Sequence, residues 1–135
     1  MNRLIFTILV LCCAAPIAAS AHHSLAAYNT SIYMVASGTV KSFDWSNPHV
    51  RLDLMVLDRN GTPKLWSFES GSIGRLAANG FSKSIVAPGD KIKVQYNPKR
   101  GNGTGGFFIG ITTADGKNRN IQRLPNASSS ADSPS

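Results

Sequence analysis

Cysteine is nearly absent from this 135-residue chain: there are two, Cys12 and Cys13, side by side near the start. Carboxylates are scarce as well, seven Asp and Glu against 14 Lys and Arg, and Glu69 is the one glutamate. The seven show no pairing of the kind that two-carboxylate hydrolysis needs. No cysteine is placed as a nucleophile, and no serine has a histidine and an acid patterned around it, so covalent hydrolase chemistry finds no footing. Apolar runs of membrane-spanning length are missing too. The longest, Leu4 to Ala15, falls short of the roughly 20 residues that a bilayer requires. These absences point away from an enzyme and away from an integral membrane helix.

That first run instead has the features of an export leader. Asn2-Arg3 is a short basic start, Pro16 ends the apolar stretch, and Ala19-Ser20-Ala21 is a small-x-small cleavage signature. Residues 1–21 are therefore expected to be a cleaved signal peptide, and the protein to be periplasmic. The alternative is an uncleaved anchor. Cleavage would remove both cysteines, and with them any disulfide or thiolate metal site. It would leave 114 residues with 13 basic and 7 acidic side chains, a net charge of +6. That is enough chain for one modest core. The charge suits an acidic polymer, an anionic membrane surface, or nothing more than a solvated exterior.

The rest of the chain reads mostly as strand. Residues 22–36 form an N-terminal segment, 37–124 a folded domain, and 125–135 a polar tail whose composition predicts disorder. Gly38 to Phe43 is a plausible first strand. In the second, His49 to Asp58, Val50, Leu52, Leu54 and Val56 alternate with Arg51 and Asp53. Asn60-Gly61 marks a hairpin, and Lys64 to Ser70 returns with Trp66 and Phe68 on one face. Ile73, Leu76 and Ala77 then follow helical spacing, with Ser70 or Ser72 as a cap and Gly80 as a stop. Ile92, Val94 and Tyr96 make a fourth strand, Phe107 to Thr112 a fifth, and Asn120 to Leu124 a last short segment. Three strands, a helix and two strands predict a mainly β fold: a small five-stranded OB-like barrel, closed or partly open, with one short helix between strands 3 and 4.

Histidine is the other rare residue. The chain has three, His22, His23 and His49. Cleavage after Ala21 makes His22 the first residue. Its α-amine and ring Nδ1 can then chelate one metal, and His23 or His49 can supply a third nitrogen. A nitrogen-rich tetragonal set suits Cu(II). Cleavage after Ala19 would start the chain Ser20-Ala21-His22, which also wraps Cu(II). The expected role is a metal carrier or buffer, with copper-dependent oxidation the one catalytic reading left open. The plainer alternatives are a terminus without a role and a turn histidine bonded to backbone. A rival reading is a barrel that holds an anionic polymer or a partner protein through Trp45, Asn47, Lys99 and Arg100, with no metal role. Nucleic acid is not the expected partner. The loop Lys99 to Gly106 could cradle an anion, although it lacks the ending of a phosphate loop. Glu69 falls out of phase with Trp66 and Phe68, on the surface or as an oxygen ligand.

Several of these stretches together resemble a known family. They are Ala21-His22-His23-Ser24, Gly38-Thr39-Val40, Asp44-Trp45-Ser46-Asn47-Pro48-His49, Trp66 with Glu69, Leu76 with Gly80, and Pro88-Gly89-Asp90. The pattern is similar to the small exported bacterial family catalogued as domain of unknown function 6152, over roughly residues 21–116. The resemblance implies a periplasmic β-rich domain and no activity. It also leads one to expect an acid after the aromatic at Tyr28, where this chain has Asn29.

Overall fold

The computed structural model describes residues 23–121. The leader, His22, the part of the expected last segment beyond residue 121 and the 125–135 tail lie outside them. One helical turn, α1 (His23–Ala26), is followed by β1 (Met34–Asp44), β2 (Arg51–Leu57) and β3 (Pro63–Glu69). Helix α2 (Ile73–Ala78) precedes β4 (Lys91–Pro98), β5 (Gly106–Thr112) and the short β6 (Asn118–Asn120).

The strands form the expected barrel. β2 pairs antiparallel with β1 and β3, and β4 with β1 and β5. Parallel pairing of β3 with β5 closes the ring. β6 lies antiparallel on β5 beyond that seam. Helix α2 falls between β3 and β4, and its Leu76 is fully buried in the core.

The alternation read in β2 holds: Val50, Leu52 and Leu54 have no exposed surface. Phe68, Val94, Tyr96, Phe108 and Ile111 meet them inside, and Trp66 packs against the cluster. The aromatic centre is edge-on, with Phe68 and Tyr96 centroids 5.1 Å apart at 68°, the geometry that ring quadrupoles favour.

Two local features differ from the sequence reading, and one alternative is decided. β1 starts at Met34, ahead of Gly38, because pairing with β4 (Met34↔Tyr96 to Thr39↔Lys91) extends it. The run Tyr33-Met34-Val35 is apolar without alternation and exposed, so its pattern carried no strand signal. At the hairpin only Gly61 takes positive φ, at 77°. The Asp58 carboxylate accepts from the Asn60 and Thr62 amides, both at 2.9 Å, and builds a longer loop than a two-residue turn. Of the two possible caps, Ser72 caps α2, accepting from Arg75 N–H. Ser70 is buried instead, its hydroxyl donating to the Phe108 carbonyl at 2.9 Å.

Closure needs glycine at the seam. Gly105 has φ 85°, and a Cβ there would run into the Ser67 carbonyl; one at Gly106 would meet the Asn97 carbonyl. Gly105→Ala should therefore combine positive-φ strain with a backbone clash and cost about 3 kcal/mol or more. Thermal unfolding followed by circular dichroism reads this directly. A midpoint within a degree or two of the parent would contradict the account.

Candidate functional site

One end of the barrel carries a polar row on its outer surface. Register places Asp44 opposite Arg51, Arg51 opposite Glu69, and Glu69 opposite Phe107 across four strands. The loop ahead of β2 arrives at this end, through a cis Asn47–Pro48 bond. There the His49 ring Nδ1 lies 2.9 Å from the Ser70 carbonyl oxygen. Ser70 is fully buried with every polar group engaged: its N–H donates to the Val50 carbonyl, its hydroxyl to Phe108, and its carbonyl faces His49.

The N-terminal segment crosses this same end as a strap. Tyr28 is 5% exposed and forms an apolar cluster of its own with Phe107 and Ile109. Its ring meets Phe107 at 5.7 Å. Tyr28 bridges to Lys99, Asn29 N–H donates to the Pro98 carbonyl at 2.8 Å, and Arg100 N–H donates to Ala27 at 2.9 Å. Two side chains complete the strap: Arg100 Nε donates to the Ala26 carbonyl at 3.1 Å, and Asn97 Nδ2 to Ile32 at 2.8 Å. Burial pushes the Tyr28 phenol well above the ordinary tyrosine range, and the Glu69 carboxylate beside it, through hydrogen bonding and negative charge, pushes the same way. Arg51 opposes the shift. The phenol thus stays a protonated donor at any physiological pH.

His49 is thus part of this end, and His23 opens α1, five residues before Tyr28. His22 is outside the described residues. Among the described residues, no three His, Cys, Asp or Glu side chains gather closely enough to hold a metal. Asn47, Trp45 and Arg100 have structural employment. Asn47 Oδ1 accepts from Ile73 N–H at 3.0 Å, Trp45 is half-buried against the core beside Phe43, 5.7 Å away, and Arg100 ties down α1. Lys99 is exposed. Sequence reasoning missed Tyr28, Phe107 and Ile109. A signal existed: Phe107-Phe108-Ile109 is apolar without alternation, as in a strand covered on both faces.

Residues 9–108 match the model of a family described as "Family of unknown function (DUF6152)". The chain belongs to this family. The DUF6152 match takes in the strap residue Tyr28, His49, Glu69 and Arg100, and reaches the seam at Phe107. No curated protein sequence matches the chain. Among solved structures it is similar to the small single-stranded DNA-binding protein from Streptomyces coelicolor, at 19% identity and a TM-score of 0.39, over 64% of this chain and 96% of that one. No helix among the described residues is long and apolar enough to cross a membrane.

The strap makes a pH prediction. Tyr28 has a folded pKa raised above its reference value of 10.0, so its contribution is fully present below pH 10 and fades as pH rises beyond it. Unfolding free energy should fall more steeply above pH 10 in the parent than in Tyr28→Phe. Ultraviolet titration should find one of the three tyrosines ionising last, and that late step should vanish in the variant. Identical alkaline profiles would remove Tyr28 from this role.

Proposed function

We propose that this chain is exported, trimmed ahead of His22, and works as a periplasmic Cu(II) carrier or buffer. The new terminal amine and the His22 ring would hold the metal together with His49. The observation that carries this reading is the His49 hydrogen bond. A carbonyl oxygen only accepts, so the 2.9 Å contact with Ser70 requires the proton on Nδ1, and in the neutral ring the Nε2 lone pair is then available. A backbone carbonyl behind an imidazole is the usual means of orienting a metal-binding histidine.

The strap is the second support. Tyr28 is anchored beside Glu69, and Ser70, the next residue, holds His49. His22 is six residues from Tyr28, a distance of at most about 20 Å of extended chain. That tether is less than half the roughly 45–50 Å that a free segment from 22 to 36 would allow. Glu69, engaged with Tyr28 and opposite Arg51, serves as the seat of the strap rather than as a ligand. A site completed only by the amine of residue 22 would bind metal after processing and not before. The rival polyanion reading is weakened because the Asn47 carbonyl oxygen caps Ile73 and the Arg100 Nε holds the Ala26 carbonyl within the fold.

Expressed with its own leader, the mature protein should bind one equivalent of Cu(II). One extra residue ahead of His22, or His49→Ala, should each weaken binding by about 10–100-fold, read by calorimetry and by the copper electron paramagnetic resonance spectrum. Equal weak binding in all three proteins would end the metal reading. Salt-sensitive binding to a polyanion would favour the rival.

A further inference from the structure

The far end of β2 leads to a different surface. A trough of about 800 Å³ runs over Ser37–Thr39 of β1, within the size range of small-molecule sites. One wall is the β2–β3 hairpin, through Met55, Leu57 and Pro63. The other is formed by Lys91 and Lys93 of β4 and by the turn after β5. Outward positions on a barrel strand are ordinarily polar, yet Leu57 is 65% exposed and Leu65, paired with Met55, is 44% exposed. With Met55 and Pro63 they make one apolar strip along the hairpin, more than scattered exposure explains.

The charge on the opposite wall has one sign. Lys91 pairs with Thr39 and Lys93 with Ser37, so both ammonium groups lie on the same side of β4. No carboxylate lines the trough. Acids that adjoin its walls in sequence have other partners: Asp90 accepts from Ala87 N–H at 2.8 Å, Asp115 is ion-paired with Lys117 at 2.8 Å and bonded by Thr113, Asp53 is bonded by Ser42 and Ser67, and Asp58 by the Asn60 and Thr62 amides. Hydrogen bonds to Lys117 and Thr113 lower the Asp115 pKa to about 2, so it stays charged within its own turn. Among the described residues neither Lys91 nor Lys93 has an ion-pair partner.

An apolar strip facing two unpaired cations, with hydroxyls from Ser37, Thr39 and Thr112 between them, is complementary to an amphiphile with an anionic head. We infer that this trough binds a single-chain fatty acid, its alkyl tail along Met55, Leu57 and Pro63 and its carboxylate at Lys91 and Lys93. The trough is concave, so it can wrap a flexible chain, whereas the flat face of a bilayer cannot enter it. This site is at the opposite end of β2 from His49 and stands or falls separately from the copper reading.

The test uses the mature protein and cis-parinarate, a fatty acid whose fluorescence rises in apolar surroundings. Its fluorescence should increase saturably, and oleate added below its micellar concentration should displace it. Lys91→Glu with Lys93→Glu, both at exposed positions, should weaken binding about tenfold or more, as should Leu57→Glu. Circular dichroism checks that each variant folds. Oleyl alcohol should compete much less well than oleate. Absence of saturable binding, undiminished binding by the lysine variant, or equal competition by the alcohol would overturn the inference. So would co-sedimentation with phosphatidylglycerol vesicles in place of oleate-displaceable binding.

Discussion

The parallel seam between β3 and β5 is short: two register pairs, Phe68 with Gly106 and Glu69 with Phe107. The candidate site depends on it. Parallel pairing of two strand ends at this distance is possible because residues 105 and 106 carry no Cβ to strike the Ser67 and Asn97 carbonyls. Once made, the seam sets Glu69 beside Phe107, and so creates both the polar and the aromatic half of the surface on which Tyr28 sits. It also brings Ser70 to the Phe108 carbonyl. With the Ser70 hydroxyl and amide used inward, its carbonyl is the group left to meet His49. A closed ring also suits a chain whose two cysteines precede the folded body, since closure removes edges and supplies cooperativity that a cysteine-free domain cannot obtain from cross-links.

The strap is a second layer on this frame, and its chemistry differs from the core's. The barrel interior is apolar and closely packed. The strap is held by one aromatic ring, a few main-chain hydrogen bonds and two side-chain donors, Asn97 and Arg100. Such an attachment opens at lower free energy than the barrel itself. The loop after β4, which reads as a possible anion cradle, begins with the clamp that receives it: the Arg100 amide and Nε donate to the carbonyls of Ala27 and Ala26.

The barrel was legible because its signals are local. Alternation in Val50–Val56, helical spacing at Ile73–Ala77 and the strand–helix–strand order each reflect which side chains must avoid water. What could not be read depends on contacts distant in sequence. Tyr28 and Phe107 are partners across most of the folded chain, and no local pattern marks Tyr28 as buried. Trp45 and Asn47 read as contacts for a polymer or partner, but a turn that packs on α2 and the core also uses side chains as caps and plugs. His49 was legible as a residue of interest through rarity alone. That its ring has a fixed tautomer depends on a carbonyl 21 residues away.

The folded domain and the terminus divide the work of the proposed centre. The described residues hold the His49 imidazole against the Ser70 carbonyl and the Tyr28 phenol against the Glu69 carboxylate, and among them no three His, Cys, Asp or Glu side chains gather to hold a metal. A single fixed nitrogen binds copper weakly. A terminal amine and imidazole bind it as any peptide terminus with histidine does, without selectivity of place. In the proposed centre, joining the two would convert a loose chelate into one preorganised on a rigid frame, the gain coming from the reach that the strap removes. On that proposal the position of Tyr28, rather than the number of histidines, would set how strongly the two halves cooperate. A chain whose strap is released would keep both halves and lose their joint affinity.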